Sequence, residues 1–206
     1  MHPNPAFRAP GRAQNLDFAR ARGFGTLAVA AAGEVIAAHV PFVLSAEGDR
    51  AEMHLARSNP VLRHPGRAVM IVTGADGYVS PDWYGAPEQV PTWNYVAVHL
   101  RGTLEVVERD TLRGHLAELS HRFEAPLDKR EWTMDKMQEE SVARLERMIV
   151  PVRLVVDDVQ GTWKLGQNKT EAQRLGAADA IGGSHGQALE ELGALMRRPP
   201  GPGDAP

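Results

Sequence analysis

The 206-residue chain contains no cysteine, which excludes disulfides, thiolate nucleophiles and thiolate-ligated metals. It has no apolar run approaching the ~20 residues that cross a bilayer. The N-terminal MHPNPAFRAPGRAQ lacks the apolar stretch of a secretory leader, so the cytoplasm is the expected compartment. Basic residues do not predominate: 23 Lys and Arg stand against 26 Asp and Glu, a net charge of −3. Duplex DNA is normally met by a basic stripe that neutralises phosphates, and its absence argues against direct DNA binding. The eight histidines form no HExxH motif, and His115 and His121 lie off the i, i+3/i+4 spacing of one helical face. No metal site is expected. Neither a G-x-S-x-G elbow nor a P-loop occurs, which leaves hydrolase and nucleoside triphosphatase readings without support.

Aromatic residues are few, and their distribution is the strongest signal. Five of the twelve fall between Tyr78 and Gly102, in YVSPDWYGAPEQVPTWNYVAVHLRG. Ser80, Asp82, Thr92, Asn94 and His99 are interleaved with them. Flat apolar walls with a few fixed donors and acceptors are what a ligand pocket requires, although aromatic clusters also simply pack in cores. Pro81, Pro87 and Pro91 restrict the backbone around the rings.

Alternation and turn residues organise the rest. FGTLAVAA and EVIAAHVPFVL read as strands joined by a turn near Gly33. Glu52–Ala56 alternates, Arg67–Thr73 is a continuous apolar strand, and Tyr78–Ser80, Trp93–Val107 and Val150–Val159 supply three more. Asn15 reads as the N-cap of LDFARAR, Ser58 as the cap of NPVLRH, Asp110 of a helix to about Phe123, and Thr133 of a helix to about Met148. Strands come early and helices late, without a βαβ rhythm, which disfavours a parallel sheet. From Ala177 the composition shifts to Ala and Gly and ends in RRPPGPGDAP. The expected division is a domain over 1–176 and a tail over 177–206, with a helix near Gln187–Arg197, a disordered end, and a dimer that survives truncation after about Leu175.

In MHLARSNP, Arg57, Ser58 and Asn59 stand at a strand-to-helix junction, where free backbone N–H groups and a guanidinium favour an anion. A solvated arginine beside a capped turn is the competing reading.

SPDWY followed by VPTWNYVAVHLRG resembles the PaiB family of FMN-binding split-barrel proteins, which are pyridoxamine-phosphate-oxidase-like. FGTLAV, AAHVPFVL, MHLARSNP and WKLGQNKTEAQRLG agree with it in order, over roughly residues 1–176. The resemblance implies a mainly β, antiparallel FMN-binding split β-barrel with flanking helices, working as a homodimer with flavin at the subunit interface. It implies FMN phosphate at Arg57 and Ser58 with Asn59 in support, and the ring edge beside His39 and Val40. Trp93 and Asn94 would serve the partner's cofactor. Trp163 would cover or underlie the ring, Lys164 would face its N1–C2 carbonyl, and Gln167 and Asn168 its pyrimidine edge. Gly166 stands where the family form KLSQN has serine, and no lysine lies between Tyr84 and Val90. The family is named for negative control of transcription, so a regulator and an FMN-dependent oxidoreductase are both implied. A haem- or other ligand-binding barrel without redox catalysis stays open as the alternative, with His39, His99 and His185 as candidate haem ligands.

Overall fold

The computed structural model describes residues 1–201. The chain forms two compact units, one of Met1–Phe18, Val72–His99 and the residues from Val159, the other of Ala19–Ile71 and Leu100–Asp158. Eight strands in chain order are β1 (Phe24–Ala31), β2 (Glu34–Pro41), β3 (Val43–Leu44), β4 (Arg50–Ala56), β5 (Gly66–Val79), β6 (Thr92–Val106), β7 (Ile149–Lys164) and β8 (Gly186–Gln187). They make one antiparallel sheet in the order β2-β1-β5-β6-β7-β4-β3, with β8 added to β5. The helices are α1 (Arg12–Arg22), α2 (Leu112–Glu124), α3 (Glu139–Glu146), α4 (Glu171–Ala180) and α5 (Leu189–Arg197).

In the first unit, the core gathers Ala75, Val79, Val96, Leu165, Ile181 and Met196, all essentially inaccessible. Arg67–Thr73 and Tyr78–Ser80, read as separate strands, are one fourteen-residue strand, β5. Its buried face shifts by one residue near Gly74, from Met70 and Val72 to Ala75, Gly77 and Val79. A Cβ at Gly74 would lie 2.7 Å from the Phe18 ring, so only glycine lets the strand pass this aromatic. Asn15 does not cap a helix. It lies buried inside α1, donating through Nδ2 to Pro10 O (3.3 Å) and accepting from Trp163 Nε1 through Oδ1 (2.8 Å). The buried indole N–H thereby gains the partner it needs.

The composition break at Ala177 falls inside α4. Ala177, Ala178, Ile181, Leu192 and Met196, all beyond the break, are buried in the same core as Trp163 and Tyr84. Arg174 donates to Met196 O and Arg197 O, and Arg197 Nη2 pairs with Asp179 at 2.9 Å, tying α4 to α5. Small residues read as a marginal tail because burial needs only shape; here Ala and Gly let two helices approach closely. Truncation after Leu175 would strip this core. The disorder expected of the last several residues lies largely outside the described range.

In the second unit, β1 and β2 form a hairpin closed by Ala32 and Gly33, both at positive φ (49° and 89°). Two left-handed residues match the twist of flanking strands. β4 buries Ala51, Met53 and Leu55 on one face and pairs with β7 from Arg50↔Val155 to Ala56↔Ile149. The cap at the end of β4 is Asn59, not Ser58: Asn59 Oδ1 accepts from Val61 N at 3.0 Å, over a four-residue 3-10 turn. Thr133 also fails to cap. Its hydroxyl bonds Asp135, a short turn Met134–Lys136 follows, and α3 begins only at Glu139.

α2 packs on β3 and β4, and there His115 lies 5% exposed, its Nε2 3.2 Å from His54 Nδ1. Burial, and secondarily His54, pushes the His115 imidazole down to about 4, against a weaker opposing pull from Glu52. Burial lowers His54 as well. The His115 ring therefore stays neutral in the fold down to about 4, while the unfolded chain takes up its proton near 6.5. Stability should therefore fall as pH drops from about 6.5 to about 4, by up to roughly 1.4 kcal/mol per pH unit from His115. Urea unfolding across this window should show the slope in the native chain and a shallower one in His115→Gln. Equal slopes would show that other groups carry it.

Candidate functional site

β6 alternates without a break: Asn94, Val96, Val98, Leu100, Gly102 and Leu104 all point inward. Five of these positions are apolar or glycine. The sixth is Asn94, 1% exposed, whose Nδ2 has no hydrogen-bond partner among the described residues. Leaving a buried amide N–H unpaired costs about 1–3 kcal/mol, so the position demands an explanation.

Asn94 lines a cavity of ≈ 240 Å³ in the first unit, together with Thr92, Lys164, Asn168 and Lys169. Lys164 ends β7 and donates to the Thr92 hydroxyl. Burial, and then the nearby Lys169 charge, lowers its affinity for a proton. Lys169 Nζ donates to Gln89 Oε1 (2.5 Å) and sits 4.9 Å above the Tyr84 ring. Two ammonium groups and an unpaired amide N–H₂ thus meet in one cavity, a donor set that fits an acceptor-bearing, electron-rich edge. The isoalloxazine pyrimidine edge, with its carbonyls and N1, is such an edge. The cavity is smaller than the ~300 Å³ at which sites for drug-sized ligands begin, so by itself it has room for only part of a molecule the size of a flavin.

The other predicted residues differ in what they are free to do. Trp163 is 5% exposed and edge-on to Phe18 (5.3 Å); it lies in the core, beneath the strand end that carries Lys164. Gln167 spends its amide on its own turn, donating to Trp163 O (2.5 Å) and accepting from Leu165 N (2.8 Å). Gly166 has φ +85°, a conformation that suits glycine better than the expected serine. Trp93 is exposed and edge-on to Tyr78. In the second unit, Arg57 Nε donates to Arg147 O (2.8 Å) and Nη2 to Ile149 O (3.3 Å). The exposed guanidinium clasps a chain corner and keeps further N–H groups. Ser58 is exposed and Asn59 caps its turn. His39 faces outward on the edge strand β2, its Nδ1 2.9 Å from Thr26 Oγ1, and Val40 is buried.

Sequence reading missed the N-terminal segment, where His2, Asn4 and Phe7 line the Asn94 cavity. His2 N donates to Thr162 Oγ1 (3.2 Å), and Asn4 caps the turn Pro5–Arg8, which buries Phe7. The N-P-A-F pattern was the available signal: a cap, a proline in the first turn and an aromatic to bury. It also missed Lys169, one residue past the WKLGQN motif.

An antiparallel eight-strand sheet, not closed into a barrel, with flanking helices and a donor-lined pocket is compatible with a split-barrel flavin-binding protein. Residues 1–158 match the family described as "Putative FMN-binding domain", and the chain belongs to that family, whose cofactor is FMN. Lys164, Asn168 and Lys169 lie beyond the matched range. The chain is 28% identical over 195 residues to "Protease synthase and sporulation protein PAI 2" of Bacillus subtilis, covering 92% of this chain and 93% of that protein. This bears out the PaiB resemblance. It is also 33% identical over 101 residues to the uncharacterized protein YKL070W of Saccharomyces cerevisiae, covering 43% of this chain and 59% of that one. Among solved structures, the FAD and heme binding protein from Mycobacterium smegmatis matches with a TM-score of 0.54 at 23% identity, over 75% of this chain and 71% of that one. The flavocytochrome Anf3 from Azotobacter vinelandii matches at 0.51 and 11%, over 72% and 65%. These two likenesses concern the fold. No helix among the described residues is long and apolar enough to cross a membrane.

Proposed function

We propose that the protein holds FMN with the acceptor edge of the ring against Asn94, Lys164 and Asn168. The observation that carries this reading is the buried, unpaired Asn94 Nδ2 in a cavity that also holds two lysines. Bound FMN supplies hydride and electron transfer. The chain's own part is to orient and to tune: Asn94 donates to a ring carbonyl, and Lys164 stabilises negative charge on that edge, favouring the reduced state. Trp163, anchored by Asn15, and Gln167, closing its turn, position Lys164 without touching the ligand.

Arg57 and Ser58 are proposed to bind the phosphate, with Asn59 holding the turn, and His39 and Val40 to flank the ring through β2. The N–H groups that Arg57 does not spend on carbonyls support its part. The family likeness supports a homodimer with flavin at its interface, where exposed Trp93 would meet the partner's cofactor. It also supports a cytoplasmic flavin-dependent oxidoreductase or a transcriptional regulator of the PaiB kind; the net charge of −3 without a basic stripe supports no direct reading of duplex DNA. The second reading, a haem-binding barrel, draws on the heme named for the mycobacterial protein of the same fold.

Flavin titration separates the roles. Asn94→Leu and Lys164→Ala should weaken FMN and riboflavin alike, while Arg57→Ala should weaken FMN by about 2 kcal/mol and leave riboflavin nearly unchanged. Asn94→Leu should also fold at least as stably as the native chain, since it removes a buried unpaired donor. Unchanged flavin affinity in Asn94→Leu would refute the ring assignment. Equal losses of both flavins in Arg57→Ala would make that arginine purely a clasp on the Arg147–Ile149 corner. A haem Soret band without flavin absorbance in the purified protein would favour the second reading.

A further inference from the structure

A cavity of ≈ 420 Å³ in the second unit lies between α2, α3 and the segment 125–138, apart from the Asn94 cavity. Its volume is within the ~300–1,000 Å³ of small-molecule sites. The α2 side is Leu116, Leu119 and Phe123, and Val142 comes from α3. The segment opposite contributes Trp132, with Met134 and Met137, whose thioethers adapt to irregular ligands and favour aromatic contacts.

An apolar hollow of this size would ordinarily collapse under its own side chains. Here polar clasps hold the walls apart. Glu124 accepts from Trp132 N (2.8 Å) and from Lys129 Nζ, and Ser120 Oγ donates to Trp132 O (3.3 Å), fixing the loop to α2. Arg113 bonds Glu146 (2.9 Å) and Glu139 (2.6 Å), fixing α3 to the same helix. The clasps occupy the polar groups of the wall, so a ligand must bind by shape and apolar contact. Among the described residues no lysine, arginine or histidine lines the cavity, and its two carboxylates, Glu124 and Glu146, are already paired with Lys129 and Arg113, so the lining offers nothing to hold the charge of an anion such as a fatty acid.

We propose that this pocket binds an uncharged, largely apolar aromatic molecule of two or three rings. The pocket shares no residue with the Asn94 cavity, but Pro41 and Ile149 bring it next to the β2 and Arg57 groups proposed for FMN, so the test is run in the presence of FMN.

The test is a fluorescence titration of the full chain with N-phenyl-1-naphthylamine, an uncharged aromatic probe, in saturating FMN. Saturable binding at one site per chain is expected, with energy transfer from tryptophan that falls in Trp132→Phe. Met137→Trp and Leu116→Trp, which fill the cavity from opposite walls, should each weaken the probe about tenfold or more while melting temperature and flavin affinity hold. Laurate should not compete. The proposal is overturned by absent or unsaturable binding, by native-like affinity in whichever filled variant folds, or by unchanged transfer in Trp132→Phe. Efficient competition by laurate would overturn the uncharged class. Displacement by FMN would place the pocket in the flavin site, and probe affinity that falls as the chain self-associates would assign the face to a second copy; either result overturns the proposal.

Discussion

A buried hydrogen-bond donor must find an acceptor, and in this protein that requirement acts at Asn94. β6 alternates strictly, so residue 94 has to face inward, where Val96 and Val98 show what the position normally holds. An amide there costs stability for as long as its N–H₂ goes unpaired. A leucine there would carry no such cost. The donor instead lies beside Lys164 and Lys169, which repel each other across the same cavity. A ligand edge bearing carbonyl oxygens relieves both penalties, pairing the amide and attracting the ammonium groups.

The rest of the first unit fixes the geometry of that pocket. Lys164 is the last residue of β7, and its direction depends on Trp163, held by the Asn15 amide from inside α1. No Cβ could be added at Gly161, since it would fall 2.0 Å from Asn15 Oδ1. The strand and α1 are therefore in close contact where the indole bond forms. The following turn is closed by Gln167 and by Gly166 at positive φ. The Thr170 capping box then launches α4, whose far end and α5 complete the core under Trp163. Residues from the beginning, middle and end of the chain thus meet behind one ammonium group.

This organisation also explains what was legible in the sequence. Strand alternation in β4 and β6, the Gly33 hairpin and the aromatic–amide run around VPTWNY are local patterns, and the mainly β antiparallel class follows from them. Asn94 is legible as a polar group interleaved among aromatics, and Lys164 through the WKLGQN motif that resembles the family form. Partners far apart in sequence leave no such mark. Asn15 resembled a helix cap because its bond to Trp163, 148 positions away, is invisible locally. Thr133 resembled one because nothing in the sequence says that its hydroxyl turns to Asp135. The Ala/Gly-rich end suggested a loose tail, yet small residues are what closely packed α4 and α5 require. For Arg57 the local sequence suggests an anion site, while its observed clasp on the backbone at Arg147 and Ile149 leaves no local mark.

The central proposal is a hydrogen bond from Asn94 to a carbonyl of the flavin ring. The most direct measurement is the infrared spectrum of FMN labelled at its ring carbonyls and bound to the native chain or to Asn94→Leu. A donor bond weakens the carbonyl stretch, so one band should lie at lower frequency in the native complex and move up in the variant. Carbonyl bands at the same frequencies in both would contradict the account.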